Sequence, residues 1–194
     1  MTWSEPLARP IAALLCHRDQ DSAIVEKKLE QLCGSILAKS DPFPFNHSHY
    51  YTSEMGTPLS KYYLVFGACI SPGAIIRIKH ETSLLEGEYL VTREGRTGRL
   101  VNIDPGYFTH AQLILATHKN YSHRIFLGQG VYAELTYQIQ GRQWIPLPWT
   151  YPDYRTSQTI SFFSEHRAAF VKETKGLRQP ASARVPMWKI LRPD

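Results

Sequence analysis

Cysteines are few in this sequence, and several common catalytic motifs are missing from it. The 194 residues include three cysteines, Cys16, Cys33 and Cys69, with no CxxC pair. An odd number of cysteines in apolar segments favours buried free thiols in a reducing cytoplasm. The chain also lacks GxxxxGK[ST], GxGxxG and GxSxG. Nothing therefore predicts a P-loop nucleotidase, a dinucleotide-binding enzyme or an α/β-hydrolase, and catalysis would have to use Asp, Glu, His or Tyr.

Long apolar runs are missing as well. The longest near the start, Ile11 to Cys16, is too short for a signal peptide or a membrane span. We therefore predict a cytoplasmic protein with no membrane association. A hydrophobic content of 43% and a charged content of 20% are typical of a globular protein. The length suits one α+β domain, which we place at residues 1–175.

The positive charge is concentrated at the C-terminal end. Residues 172–194 contain six basic and two acidic side chains, which leaves +1 of the net +5 for the rest of the chain. Residues 176–194 show no periodicity, so we predict a basic, flexible tail. Nucleic acid is a candidate partner through this tail, while the body gives little sign of a basic face. The sequence does not predict an oligomeric state.

Hydrophobic periodicity predicts six elements in the first half of the chain. Their order is strand, helix, strand, strand, helix, strand, which is the order of a ferredoxin-like βαββαβ unit. Between the second and third strands, residues 41–56 are rich in proline and aromatics and predict an ordered loop. The six segments are Pro10–His17, Ile24–Cys33, Ser35–Ala38, Tyr62–Ile70, Ser71–Leu85 and Arg99–Ile103.

Further elements are predicted after this unit. Asp104-Pro105-Gly106 has the composition of a tight turn. Thr109 to Gln112 matches a helix capping box, so we predict a helix over residues 110–118, although the run is short enough to be a strand. A β-hairpin, a third strand at Gln143–Ile145, a rigid extended segment at Pro146–Arg155 and a helix over Ser157–Thr174 follow.

The hairpin is the most readable part of the sequence. Apolar and polar residues alternate from Val131 to Ile139, and the loop from Gly128 to Gly130 connects this strand to the one before it. If Leu127 pairs with Val131, then Arg124 faces Glu134 across the strands, on the face opposite the aliphatic one. Such a pair is either an exposed salt bridge of little energetic value or an arginine held by a carboxylate to meet a ligand anion.

Charged and aromatic residues between positions 104 and 155 form a candidate binding site. Asp104, His123 and Glu134 are the candidate catalytic groups, with Glu134 also orienting Arg124. Arg124 and Arg155 are the candidate anion-binding arginines. The alternative is that these polar residues cap local turns and that the aromatics support the core. The candidate ligand-binding residues are Tyr107, Lys119, Arg124, Trp149, Tyr151, Asp153, Tyr154 and Arg155.

Two sets of residues could be considered for a metal. His47 and His49 lie on one face of an extended segment with Glu54 nearby, and Asp104, His123, Glu134 and Asp153 form a mixed oxygen and nitrogen set. Solvent-facing histidines are the simpler interpretation of the first set, and the second requires a fold that brings its members together. We therefore predict no metal and no cofactor.

Several segments of the chain resemble the domain of unknown function 4416 family of bacterial and archaeal proteins. The resemblance covers residues 10 to 170 and implies no activity, because none is assigned to the family. Lys79, Thr82 and Glu86 belong to it by their spacing. The other matching segments are FPF, YYTSEMG, NIDPGY, ATHK, HRIFLGQGVYAELTY and LPWTYPDYR.

Two functional hypotheses follow. The first is a protein that binds or acts on a small anionic, phosphate-bearing ligand in a pocket of Asp, Glu, Arg, His and aromatic residues. The second is a non-catalytic RNA- or protein-interaction module that uses the sheet face and the basic tail. Most aromatics lie in predicted loops beside charged groups, rather than on strands where bases would stack, and this favours the first hypothesis.

Overall fold

A nine-stranded antiparallel sheet organises the computed structural model, which describes residues 6–17, 22–45, 51–93 and 95–176. The sheet strands are β1 (Arg9–His17), β2 (Ile36–Lys39), β3 (Phe43–Pro44), β4 (Leu59–Phe66), β7 (Val101–Phe108), β8 (Gln112–Thr117), β9 (Arg124–Gly128), β10 (Val131–Gln140) and β11 (Gln143–Pro146). A separate two-stranded ribbon contains β5 (Leu90–Arg93) and β6 (Arg96–Arg99). The helices are α1 (Ser22–Cys33), the single-turn α2 (Thr52–Met55), α3 (Ile75–Gly87) and α4 (Ser157–Glu173).

Helices cover both faces of the sheet. Alternate residues of β1 point to opposite sides, so Ala12 and Leu14 pack with α1 and α3, whereas Ile11 and Ala13 pack with α4. The α+β class predicted from the sequence is confirmed. Along the sheet the strands follow the order β11-β10-β8-β7-β1-β4-β2, while β3 and β9 pair with β4 and β10 respectively.

Residues 104–106 do not form the predicted turn, because β7 runs through them. Ala13 of β1 pairs with Asp104, Ala12 with Pro105 and Ile11 with Gly106. On its other side β7 pairs with β8 only from Gly106 onward. Proline has no N–H to offer on that side, and no strand lies there to require one. Gly106 lies where the two strands approach closely, since a Cβ on it would stand 2.3 Å from the carbonyl oxygen of Ile114.

The predicted helix over residues 110–118 is also wrong, because this segment contains β8. Thr109 does accept hydrogen bonds from the backbone N–H groups of Ala111 and Gln112, at 3.2 and 3.3 Å. The chain nevertheless turns back at this point, and the N–H of Thr109 donates to the carbonyl of Gln112 at 2.8 Å. Leu113 to Ala116 then extend between β7 and β10 and are buried. A side-chain oxygen four residues before an apolar run therefore stabilised a tight β-turn here instead of a helix.

The hairpin has the predicted register for three of its four pairs. Phe126 faces Tyr132, Ile125 faces Ala133 and Arg124 faces Glu134, but Val131 pairs with Gly128 rather than with Leu127. The turn therefore consists of Gln129 and Gly130, whose φ angles of 51° and 73° suit a tight two-residue hairpin turn.

The alternation along β10 does not keep one face throughout. A bulge at Thr136 interrupts the pairing with β8. Val131 and Ala133 pack on the α1 and α3 side, whereas Tyr137 and Ile139 pack on the α4 side. An extra residue in one strand reverses the direction of every later side chain.

Other predictions have mixed outcomes. Cys16 and Cys33 are buried, and burial raises the pKa of each thiol to about 12, but Cys69 is exposed, contrary to the prediction.

None of the helices in the described ranges has the length and apolar composition needed to cross a membrane. The tail from residue 177 and the histidines at 47 and 49 lie outside the described residues.

Replacing Gly106 with alanine should destabilise the fold. The new methyl group would collide with the backbone of β8, which cannot move aside as a flexible side chain can. We expect a loss of roughly 1–3 kcal/mol, the usual range for overpacking, in urea denaturation. Gly87→Ala is the matched control because nothing lies within 4 Å of a Cβ there. Equal midpoints for both variants would contradict the close approach of β7 and β8.

Candidate functional site

A pocket of about 210 Å³ opens where β7 and β8 separate. β7 supplies Asn102 and Asp104, and the facing part of β8 supplies Leu115 to Thr117. Helix α3, the hairpin and residues 151–154 form other walls. The charged side chains that line the pocket are Lys61, Lys79, Glu86, Arg99, Asp104, Lys119, Arg124, Glu134 and Asp153.

Side chains of α3 make the hydrogen bonds to the backbone of β7 that a neighbouring strand would otherwise make. The N–H of Ile103 donates to Glu86 Oε1 at 2.5 Å, and its carbonyl accepts from Lys79 Nζ at 3.3 Å. A buried backbone group without a partner is costly, so these bonds stabilise the separation of β7 from β8. Burial raises the pKa of Glu86, while Lys79, the Ile103 N–H and Arg99 oppose the increase.

Arg124 and Glu134 form a buried ion pair, with exposed side-chain fractions of 10% and 3%. Arg124 Nε and Nη2 each lie 2.8 Å from Glu134 Oε2. Arg124 also donates to the carbonyl of Lys119 and to the hydroxyl of Tyr151, both at 3.0 Å. The prediction that these residues are cross-strand partners is confirmed, but the pair is not the exposed salt bridge of the simpler interpretation. Four of the five N–H groups of the guanidinium are thereby directed at protein acceptors.

Two other carboxylates in the pocket are also paired. Lys61 Nζ lies 2.6 Å from Asp153 Oδ2, and both side chains are buried. Arg99 Nη1 lies 2.6 Å from Glu86 Oε2. Such pairs offset the cost of removing each charge from water.

Lys79 and Asp104 differ from these residues because no ion pair among the described residues includes either of them. Lys79 is 7% exposed, and the hydrogen bond to Ile103 is the one that its ammonium donates to a described residue. Asp104 is half-buried and accepts a hydrogen bond from Asn102 Nδ2 at 3.1 Å. Both side chains therefore retain hydrogen-bonding capacity in the pocket.

Three buried polar atoms of pocket residues have no hydrogen-bond partner among the described residues. They are Arg99 Nε, Glu134 Oε1 and the hydroxyl oxygen of Tyr154. Arg99 Nε nevertheless lies 2.9 Å from Glu54 Oε1 in an ion pair, which leaves Glu134 Oε1 and the Tyr154 hydroxyl. Burial, followed by the nearby hydroxyl of Tyr63 and the carboxylate of Asp153, raises the pKa of Tyr154 well above its usual value. Its hydroxyl therefore stays protonated and can donate. Unsatisfied buried groups of this kind are uncommon and point to an unfilled interaction.

The structure brings seven of the eleven predicted site residues to this pocket. They are Asp104, Lys119, Arg124, Glu134, Tyr151, Asp153 and Tyr154.

The other four lie elsewhere. Tyr107 packs among the apolar residues on the α1 and α3 side of the sheet. His123 Nε2 contacts Glu134 Oε2 at 3.1 Å, and its ring stacks on Trp149, whose Nε1 donates to the carbonyl of Leu135. Arg155 donates to the carbonyls of residues 147, 148 and 150, so it stabilises the loop before it.

Sequence reasoning did not include Lys61, Lys79, Glu86 and Arg99 in the site. The signal for two of them was present, because Lys79 and Glu86 lie on the same helical face as buried Thr82. A lysine and a glutamate on the buried face of a helix are unusual unless they are partnered. Lys61 and Arg99 reach the pocket from β4 and from the ribbon, through contacts that local periodicity does not predict.

Among the described residues, the geometry gives no support for a metal site. Within the described ranges, no group of three or more His, Cys, Asp or Glu side chains is placed to hold a metal ion. Asp104, Glu134 and Asp153 all line the pocket, but Glu134 and Asp153 are each bonded to a basic side chain.

Comparison with known proteins identifies the family. The model described as "Domain of unknown function (DUF4416)" matches residues 6–170. The chain therefore belongs to this family, and the resemblance noted in the sequence is confirmed. No curated protein and no solved structure matches the chain.

Arg124→Ala should destabilise the protein strongly. It leaves the carboxylate of Glu134 buried with His123 as its remaining bonded partner, and removing one member of a buried pair costs roughly 3–5 kcal/mol. The double variant Arg124→Met/Glu134→Leu should lose less than the sum of its single variants in urea denaturation. Arg142→Ala, at an exposed position in the β10–β11 turn, is the control. If Arg124→Ala behaved like Arg142→Ala, the pair would have no structural role.

Proposed function

We propose that this protein binds a small anionic, phosphate-bearing ligand in the pocket between β7 and β8. The observation that carries the proposal is Lys79, a buried ammonium group that lines the pocket and has no carboxylate partner among the described residues. The nearby carboxylate of Glu86 offsets part of this charge, but both of its oxygens are bonded to other groups. A buried ammonium group that donates to a single carbonyl is unfavourable, and an anion that enters the pocket supplies a bonded partner.

The balance of charge around the pocket supports the same conclusion. Five Lys or Arg side chains and four Asp or Glu side chains line it. Three of the carboxylates, Glu86, Glu134 and Asp153, already have a basic partner within 2.8 Å. Lys79 adds positive charge beyond these pairs. The volume is below the 300–1,000 Å³ typical of sites for drug-sized molecules, which favours a small ligand.

Asp104 and Glu134 are the candidate acids or bases in this pocket. Asp104 is half-buried and has no ion-pair partner within the described part of the chain, so it is the more accessible of the two. His123 contacts the ligand region only through Glu134 in this arrangement. A direct proton-transfer role therefore has more support for Asp104 than for His123.

The fold is compatible with this proposal without requiring it. The antiparallel order β7-β1-β4-β2, with α1 between β1 and β2 and α3 between β4 and β7, supports the ferredoxin-like interpretation of the first half of the chain. Such a scaffold carries many functions, so the function is argued from the pocket alone.

The interaction-module hypothesis has less support. Stacking of bases on a sheet needs an exposed face with aromatic side chains. Helices α1 and α3 pack on one face of the central strands and α4 packs on the other. Among the described residues, Phe126 of β9 is the one exposed aromatic on a strand.

Lys79→Met tests the proposal. Inorganic phosphate binding, measured by isothermal titration calorimetry, should weaken by roughly 10- to 100-fold, because a hydrogen bond to a charged group contributes about 1.5–3 kcal/mol. Lys27→Met, at an exposed position of α1, removes the same charge away from the pocket and should bind phosphate like the unmodified protein. Equal affinity in both variants, or no phosphate binding by the unmodified protein, would contradict the proposal.

A further inference from the structure

The pocket offers hydrogen-bond acceptors as well as positive charge. Asp104 accepts a hydrogen bond from Asn102 and can accept more, and Oε1 of Glu134 has no donor among the described residues. Both groups are carboxylate acceptors, so neither suits a bare anion. A fully deprotonated phosphate would meet electrostatic repulsion from Asp104. The anion site at Lys79 therefore describes only part of the ligand.

Glu134 is the clearest case of an acceptor in the pocket that lacks a donor. Its Oε2 takes the hydrogen bonds from Arg124 and His123, while Oε1 is buried without a donor from the described residues. The side chain is held by these contacts, so it cannot easily rotate to expose Oε1 elsewhere. A ligand hydroxyl or amine would provide the missing donor.

Tyr154 provides a third unsatisfied position. Its side chain is 1% exposed and stacks on Phe163 with the ring planes 1° apart, so the ring is held firmly. The hydroxyl has no partner among the residues described, although it can both donate and accept. A hydroxyl group of a ligand fits such a position better than an apolar group does.

We infer that the ligand is a phosphorylated polyol, with a phosphate at Lys79 and hydroxyl groups donating to Asp104 and Glu134. This inference rests on the proposed function, because it assigns the rest of the molecule whose anion Lys79 binds. Four unsatisfied or partly satisfied groups, on Lys79, Asp104, Glu134 and Tyr154, then gain partners from one small molecule.

Four probes separate the contributions of phosphate and hydroxyls. Methyl phosphate carries the anion without hydroxyls, glycerol 1-phosphate and ribose 5-phosphate carry both, and free ribose carries hydroxyls alone. In calorimetry on the full chain, the two polyol phosphates should bind at least tenfold more tightly than methyl phosphate, and ribose should bind most weakly.

Asp104→Asn is the principal variant, because Asp104 is half-buried and has no ion pair to lose among the described residues. It should reduce the preference for the polyol phosphates at least fivefold and leave the affinity for methyl phosphate unchanged or higher. Tyr154→Phe keeps the ring and removes the unpartnered hydroxyl, so it should also reduce the preference, with little change in the urea midpoint.

The outcomes distinguish the two proposals. If methyl phosphate binds as tightly as ribose 5-phosphate, the polyol assignment is overturned while the anion site remains. If Asp104→Asn weakens methyl phosphate and the polyol phosphates equally, Asp104 does not read hydroxyls and the assignment is again overturned. If none of the phosphates binds, both proposals fail.

Discussion

The backbone of Ile103 makes its hydrogen bonds to side chains of α3, and the pocket depends on this arrangement. Backbone groups alternate along a strand, so Ile103 and Pro105 direct theirs to the side on which β8 lies. Glu86 accepts from the N–H of Ile103, Lys79 donates to its carbonyl, and Pro105 has no N–H to satisfy. The backbone of Ile103 therefore stays paired where β7 leaves β8, and the space between the two strands becomes a pocket.

The same two side chains connect this architecture to the electrostatics of the site. One carboxylate oxygen of Glu86 accepts from the N–H of Ile103 and the other pairs with Arg99, so both oxygens have partners. Lys79 uses one donor on the backbone and has two left. A helix that separates two strands thus also places a positive charge between them. The other ion pairs, Arg124 with Glu134 and Lys61 with Asp153, line the pocket, but in each pair the two charged groups are bonded to each other.

Elements with a clear period could be predicted from the sequence. β1, α1, β4 and the β9–β10 hairpin follow from apolar runs, helical spacing and glycines that adopt positive φ. The register that places Arg124 opposite Glu134 followed from the alternation together with the Gly128–Gly130 loop.

The errors arose where local chemistry has two structural outcomes. Asp104-Pro105-Gly106 suits a turn, but it also suits a strand that loses its neighbour, and only the position of α3 decides between them. Thr109 has the oxygen of a helix cap and uses it in a β-turn. An alternating pattern does not reveal the bulge at Thr136, because the apolar residues keep the same spacing after it. They point to the opposite face, which is also buried.

The candidate site was only partly predictable for a related reason. Asp104, Arg124 and Glu134 lie in one segment with concentrated charge, so composition could find them. Lys61, Lys79 and Arg99 come from three separate elements that tertiary packing brings together. Residues such as Trp149 and Arg155 matched the expected chemistry but support neighbouring backbone instead.

Amide hydrogen exchange at Ile103 in Glu86→Ala tests the central claim most directly. Removing the carboxylate deletes the acceptor of the Ile103 N–H, so this amide should exchange at least tenfold faster after correction for any change in global stability. The amide of Tyr107, on the part of β7 that pairs with Ile114 of β8, should keep its protection. Unchanged protection of Ile103, or an equal loss at both amides, would show that α3 does not hold the two strands apart.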